Sequence, residues 1–192
     1  METMLETVTI SVAPPLAHQA QLEQIIRQGQ VQVVFQPIVQ LADGELYGYE
    51  ALVRGPSGSI LHSPVMLFEQ AARAGLSGVL DQVCIAAILR QFARSQLPGT
   101  LFINVIPDTL LSADVSAEAL LGLLQLYGVS PQRVVLELTE TRPSAGYPVL
   151  CQVADELRDA GLRLALDDLG EGFSNLRLWS ELRPDVVKLD KY

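Results

Sequence analysis

A chain of 192 residues, 49% hydrophobic and 18% charged, can bury one sizeable core and is too short for two comfortable ones. Thirteen Lys and Arg against 22 Asp and Glu leave a net charge of −9, which excludes a binder of the nucleic-acid backbone, because that affinity depends on clustered cations. The acidic start, Met1 to Glu6, has no basic stretch leading into an apolar block, and no run approaches the roughly 18 uninterrupted apolar residues of a membrane span.

These features predict a cytoplasmic protein with no membrane insertion. Cys84 and Cys151 fall on apolar helical stretches and read as two buried thiols, not a disulfide or metal pair, in a reducing compartment. Residues 1–15 lack a clear period and read as a linker or tail, with Pro14-Pro15 stiffening the entry. Leu22, Ile25 and Ile26 give Leu16–Gln28 a helical stripe that Gly29 closes, and Val31–Val39 is strongly β-prone. Asp43-Gly44 is a hairpin signal joining that strand to Glu45–Val53, so the first two strands should pair antiparallel.

Beyond the hairpin, helix and strand alternate. Ser63-Pro64 opens a helix that stops at Gly75, and a second helix covers Val79–Ala93 before the strand Leu101–Ile106. Ser116 caps a helix ending at Gly128, and Val134–Thr139 is the next strand. Leu150, Val153, Ala154 and Leu157 form a stripe ending at Gly161, followed by the strand Arg163–Asp167. A helix over Leu176–Leu182 carries Trp179 as a core residue, and Val186–Leu189 is the last strand. This alternation implies a parallel sheet, covered on its faces or closed into a barrel.

The strand ends carry the chemistry. Glu50, Asn104, Glu137, Asp167 and Asp168 offer only oxygen ligands, with no convergent His or Cys, which suits a hard divalent cation and disfavours zinc. Asp167 and Asp168 point to opposite sides of a strand unless the chain turns between them, and Gly170 and Gly172 make such a turn reasonable. Adjacent carboxylates could then address two metal ions, as in phosphodiester hydrolysis. Lys188, alone in an apolar strand, suits a phosphate or an attacking water. Each group has a bland reading: Glu50 as a solvated strand end, Asn104 as a turn amide, Glu137 in an ion pair, the Asp pair as a cap, Lys188 as a snorkelling side chain. The functional reading rests on coincidence, since successive strands ending in such groups are uncommon and clustered like charges are expensive without a cation. His18 and His62 lie outside the series and read as surface histidines.

Phe35-Gln36-Pro37-Ile38-Val39, Glu50-Ala51-Leu52, Glu137-Leu138-Thr139-Glu140, Asp167-Asp168 and Lys188-Leu189-Asp190 follow one another in an order that resembles the EAL-domain family of cyclic di-GMP phosphodiesterases, from about residue 20 to the C-terminus. The resemblance implies an α/β fold, a TIM-like (β/α) barrel whose first strand runs antiparallel to its neighbour. It assigns residues 16–192 to the domain. The family continues past the lysine strand with two further strands that supply a catalytic glutamate and a glutamine, whereas this chain stops at Tyr192. An incomplete barrel with two unpaired edges is therefore expected.

Carried over by position, Glu50, Asn104, Glu137 and Asp167 resemble the primary ligands of Mg²⁺ or Mn²⁺, and Asp168 the ligand of a second ion. Glu50 and Lys188 are the expected catalytic residues. Gln36 and Arg54 resemble substrate contacts, the arginine meeting a phosphate through its planar fork, and Glu140 resembles the anchor of the loop after the Asp pair. The implied reaction is attack of water on one phosphodiester of cyclic di-GMP, giving linear pGpG. The loop Asp168-Leu169-Gly170-Glu171-Gly172-Phe173-Ser174-Asn175 departs from the family pattern. With the shortened end, this sets up the alternative of a catalytically weak or inactive cyclic di-GMP receptor or protein-interaction module. The resemblance also implies a homodimer and a sensory domain upstream.

Overall fold

The computed structural model describes residues 15–111, 116–138, 146–167 and 179–189. Helix α1 (Pro15–Gln28) leads into β1 (Gln32–Val39) and β2 (Leu46–Arg54), then α2 (Pro64–Ala74), α3 (Ser77–Ser95) and β3 (Thr100–Val105). A one-turn helix, α4 (Pro107–Leu110), is followed by α5 (Ala117–Tyr127), β4 (Val134–Leu138), α6 (Tyr147–Asp159), β5 (Arg163–Leu166) and β6 (Val186–Val187). The six strands lie in sequence order, β1 antiparallel to β2 and every later pair parallel.

Local chemistry sets these boundaries. At the hairpin, the Asp43 carboxylate accepts from the Glu45 N–H at 2.9 Å and Gly44 adopts φ +74°. Pro64 occupies the first turn of α2, and Gly75 ends it in the left-handed region at φ +67°. Ser116 caps α5 by accepting from the Ala119 N–H at 3.2 Å. The last strand is shorter than predicted: Val186 and Val187 are its paired residues, and the Asp185 and Lys188 N–H groups on either side donate to the Leu164 and Leu166 carbonyls of β5. Asp185 fixes its register, receiving the Leu164 N–H on Oδ2 at 2.9 Å.

The main core lies between the outer face of the sheet and the helices, where Ile85, Ile88 and Phe92 of α3 meet Leu101, Ile103, Leu136 and Leu164 of the strands. The inner face carries a second apolar layer of Phe102, Val135 and Ala165, with Ile38, Tyr47 and Val186 against it. Both faces of β3 and β4 are thus covered, which is why those strands read as nearly continuous apolar runs. Below this layer Arg163 donates to the Tyr47 hydroxyl at 2.8 Å and to Thr100 Oγ1 at 2.9 Å, tying β5 to β2 and β3. Gly48 permits the close approach of β2 to β3: a Cβ there would lie 2.1 Å from the Thr100 carbonyl oxygen.

The sheet is not closed, and β1 and β6 are its two edges among the described residues. Trp179 departs from expectation. It is 46% exposed instead of buried, because the helical residues 179–182 anchor to the core through Leu182.

Candidate active site

Alternation along each strand decides which residues reach the inner face. On β3, Leu101, Ile103 and Val105 point to the helices, so Thr100, Phe102 and Asn104 point inward. Asn104 stands opposite Glu137 of β4, and Glu137 opposite Ala165 of β5. Asp167 lies two residues beyond Ala165 on the same face, with its N–H donating to the Leu138 carbonyl at 3.1 Å. The Lys188 N–H likewise donates to the Leu166 carbonyl at 2.9 Å. On the other side Glu50 of β2 pairs with Gln36 of β1 and is level with Phe102. The polar layer therefore climbs the sheet from Glu50 to Lys188, the stagger expected of tilted barrel strands.

This stagger brings five predicted residues together. Lys188 Nζ lies 3.2 Å from Glu50 Oε2, 3.1 Å from Glu137 Oε1 and 3.5 Å from Asp167 Oδ2. Asn104 Nδ2 donates to the other Glu50 oxygen, Oε1, at 3.1 Å. Glu137 is fully buried, and neither of its carboxylate oxygens accepts a well-formed hydrogen bond among the described residues. Burial pushes its carboxyl up to about 7, opposed by Lys188 and reinforced by Glu50 and Asp167. Burial works to lower the Lys188 ammonium, but Glu137, Glu50 and Asp167 outweigh it and hold the group above its ordinary value.

Arg54 ends β2 beside this layer, its Nη1 donating to the Val53 carbonyl at 2.9 Å. Gln36 is exposed on the face of Glu50. Asp168 and Glu140 lie outside the described residues. Arg54 and Asn104 also border a cavity of about 370 Å³ lined by Val53, Phe68, Asp81, Cys84 and Ile106. Sequence reasoning missed Asp81. It is 2% exposed, accepts from the Ile106 N–H at 3.1 Å and is raised by burial to about 6. The available signal was one acid inside the apolar stripe Leu80, Cys84, Ile85, Ile88. His62, predicted as a surface residue, is exposed but also donates from Nδ1 to the Gly55 carbonyl at 2.9 Å, clipping the loop after Arg54.

The donor set tests the divalent-ion expectation. Glu50, Glu137 and Asp167 present carboxylate oxygens, Asn104 carries an amide oxygen besides the Nδ2 that donates to Glu50, and Glu137 Oε2 is a buried carboxylate oxygen lacking a donor among the described residues, which fits a hard cation. As the side chains stand, no trio of acidic, His or Cys groups among the described residues is gathered tightly enough to bind an ion, and Lys188 Nζ sits among the carboxylates.

The family described as EAL domain matches residues 19–192. A probable cyclic di-GMP phosphodiesterase, PdeB of Escherichia coli K12, is 33% identical over 175 residues, 88% of this chain and 33% of that protein. Among solved structures, the Klebsiella pneumoniae BlrP1 complex with manganese and cyclic di-GMP at pH 6 is 33% identical, covering 84% of this chain and 40% of that one at a TM-score of 0.72. The EAL enzyme Bd1971, with cAMP and cyclic di-GMP bound, shares the fold at a TM-score of 0.78 and 22% identity, covering 92% of this chain and 50% of that one. The chain spans about a third of PdeB and half or less of these two solved chains.

Proposed function

The chain belongs to the EAL domain family, and from that premise we propose that it is a metal-dependent phosphodiesterase that hydrolyses cyclic di-GMP to linear pGpG. The observation that carries the reading is the delivery of Glu50, Asn104, Glu137, Asp167 and Lys188 to one inner layer by five adjacent strands. The related proteins named for this activity or solved with cyclic di-GMP support it.

Glu50, Asn104, Glu137 and Asp167, with Asp168 for a second ion, are the residues that would hold Mg²⁺ or Mn²⁺. When bound, such an ion supplies Lewis-acid activation of water and neutralises phosphodiester charge. Arg54 offers its guanidinium fork and Lys188 a compact point charge to the phosphates, two cations in a protein of net charge −9. Gln36, exposed beside Glu50, offers amide contacts along the substrate. The mainly apolar cavity beside Arg54, with Asn104 and Asp81 among its lining residues, has room for a planar base. Glu140 is the assigned anchor of the loop after Asp168.

The test is chromatographic. The purified chain is incubated with cyclic di-GMP and Mn²⁺ or Mg²⁺ beside a Glu50→Ala control. The reading predicts pGpG that disappears in the control by at least about a hundredfold, and equal turnover in both proteins would defeat the site assignment. A second reading, a cyclic di-GMP receptor without turnover, is favoured by the departure of the sequence at residues 168–175 from the family pattern. Binding of the dinucleotide without product would select it.

A further inference from the structure

The chain contains two lysines, Lys188 and Lys191, against eleven arginines. The one at the candidate site does not simply border it. Its ammonium stands 3.1 to 3.5 Å from one oxygen each of Glu50, Glu137 and Asp167, while the Asn104 amide takes the remaining Glu50 oxygen. A hard divalent ion takes carboxylate oxygens at roughly 2.0 to 2.6 Å. It would need the same oxygens that now face Nζ, and two cations cannot share that focus without strong repulsion in a half-buried setting.

The side chain has a way out. Lys188 is 28% exposed and lies just past β6, and its flexible four-carbon stem lets the ammonium swing aside. Glu137, fully buried with Oε2 lacking a donor among the described residues, has no comparable freedom and stays behind as a fixed ligand.

Resting on the metal-site reading above, we propose that Lys188 is the site's tethered counter-ion, and that a divalent cation loads by displacing its ammonium from the carboxylates. Lys188 then sets the threshold for metal loading. Displacement also frees the ammonium, so loading arms the lysine for an incoming phosphate and orders the two events, ion before dinucleotide.

The experiment reads lysine exposure directly. The full chain is pulse-acetylated with an N-hydroxysuccinimide ester, with and without saturating Mn²⁺, and the two lysines are quantified by peptide mass spectrometry. Lys191 is the internal reference. Mn²⁺ should raise Lys188 labelling at least about fivefold relative to Lys191. In parallel, calorimetric titration with Mn²⁺ should give about tenfold tighter binding for Lys188→Met, since a repelling charge is removed. Mn²⁺ binding with unchanged or greater protection of Lys188, or equal or weaker affinity in Lys188→Met, would overturn displacement while leaving the metal site intact. Absence of any Mn²⁺ binding to the native chain would instead overturn the metal-site reading, and this inference with it.

Discussion

Replacing Asp81 by asparagine should remove a pH-dependent cost that the fold carries. Burial raises the Asp81 carboxyl from 3.8 to about 6, against the lowering effect of the Ile106 N–H and the Thr109 side chain. Between those two values the native state holds a proton that the unfolded chain has released, so stability falls as pH rises through the window. The cost is absent below 3.8 and complete above about 6. At about 1.4 kcal/mol per unit, the shift corresponds to about 3 kcal/mol. Solvent screening takes little of this, since Asp81 is 2% exposed. The asparagine has no proton to lose, and its carbonyl oxygen can still accept from Ile106. Urea unfolding of both proteins at about pH 4 and about pH 7.5 measures the effect. The native chain should lose about 2 to 3 kcal/mol more than Asp81→Asn between the two conditions. Stability differences that run parallel with pH would refute the assignment of the cost to this buried carboxyl.

Two further outcomes concern the frame that holds the site. Phe92 is 1% exposed, lies 6.0 Å from the Phe35 ring and carries the Arg133 guanidinium 4.8 Å over its face, so Phe92→Ala should cost about 3 to 5 kcal/mol in the same unfolding assay. Gly48→Ala places a Cβ 2.1 Å from the Thr100 carbonyl oxygen, which is backbone and cannot swing aside. That variant should separate β2 from β3 and lose Glu50 from the site, seen as a melting temperature lower by about 10 °C or more together with weakened Mn²⁺ binding. A melting curve matching the native chain would show that the strands tolerate the spacing.

Much of the frame is local physics and was legible in the sequence. The Asp43-Gly44 turn required two antiparallel strands, and Gly75 and Gly128 stopped their helices at φ +67° and +66°. Side-chain alternation required that Asn104 and Glu137 share a face with the apolar residues two positions before them. The oxygen-only chemistry of the strand ends was likewise written in residue types.

Tertiary structure decided the rest, because it depends on how strands are staggered and what packs against them. The climb of the polar layer from Glu50 to Lys188 arises from the register of β2 against β3 and of β4 against β5, which no single strand encodes. Only that register puts the Lys188 ammonium among three carboxylates. Asp81 became a buried acid because α3 seats it against the turn after β3, where the Ile106 N–H needs an acceptor. Trp179 stayed half exposed because Leu182, three residues on, took the inward position of that turn. Sequence thus determined which groups could do chemistry and in which elements they sit. Packing determined which of them meet, since distances between strands are set by the whole sheet.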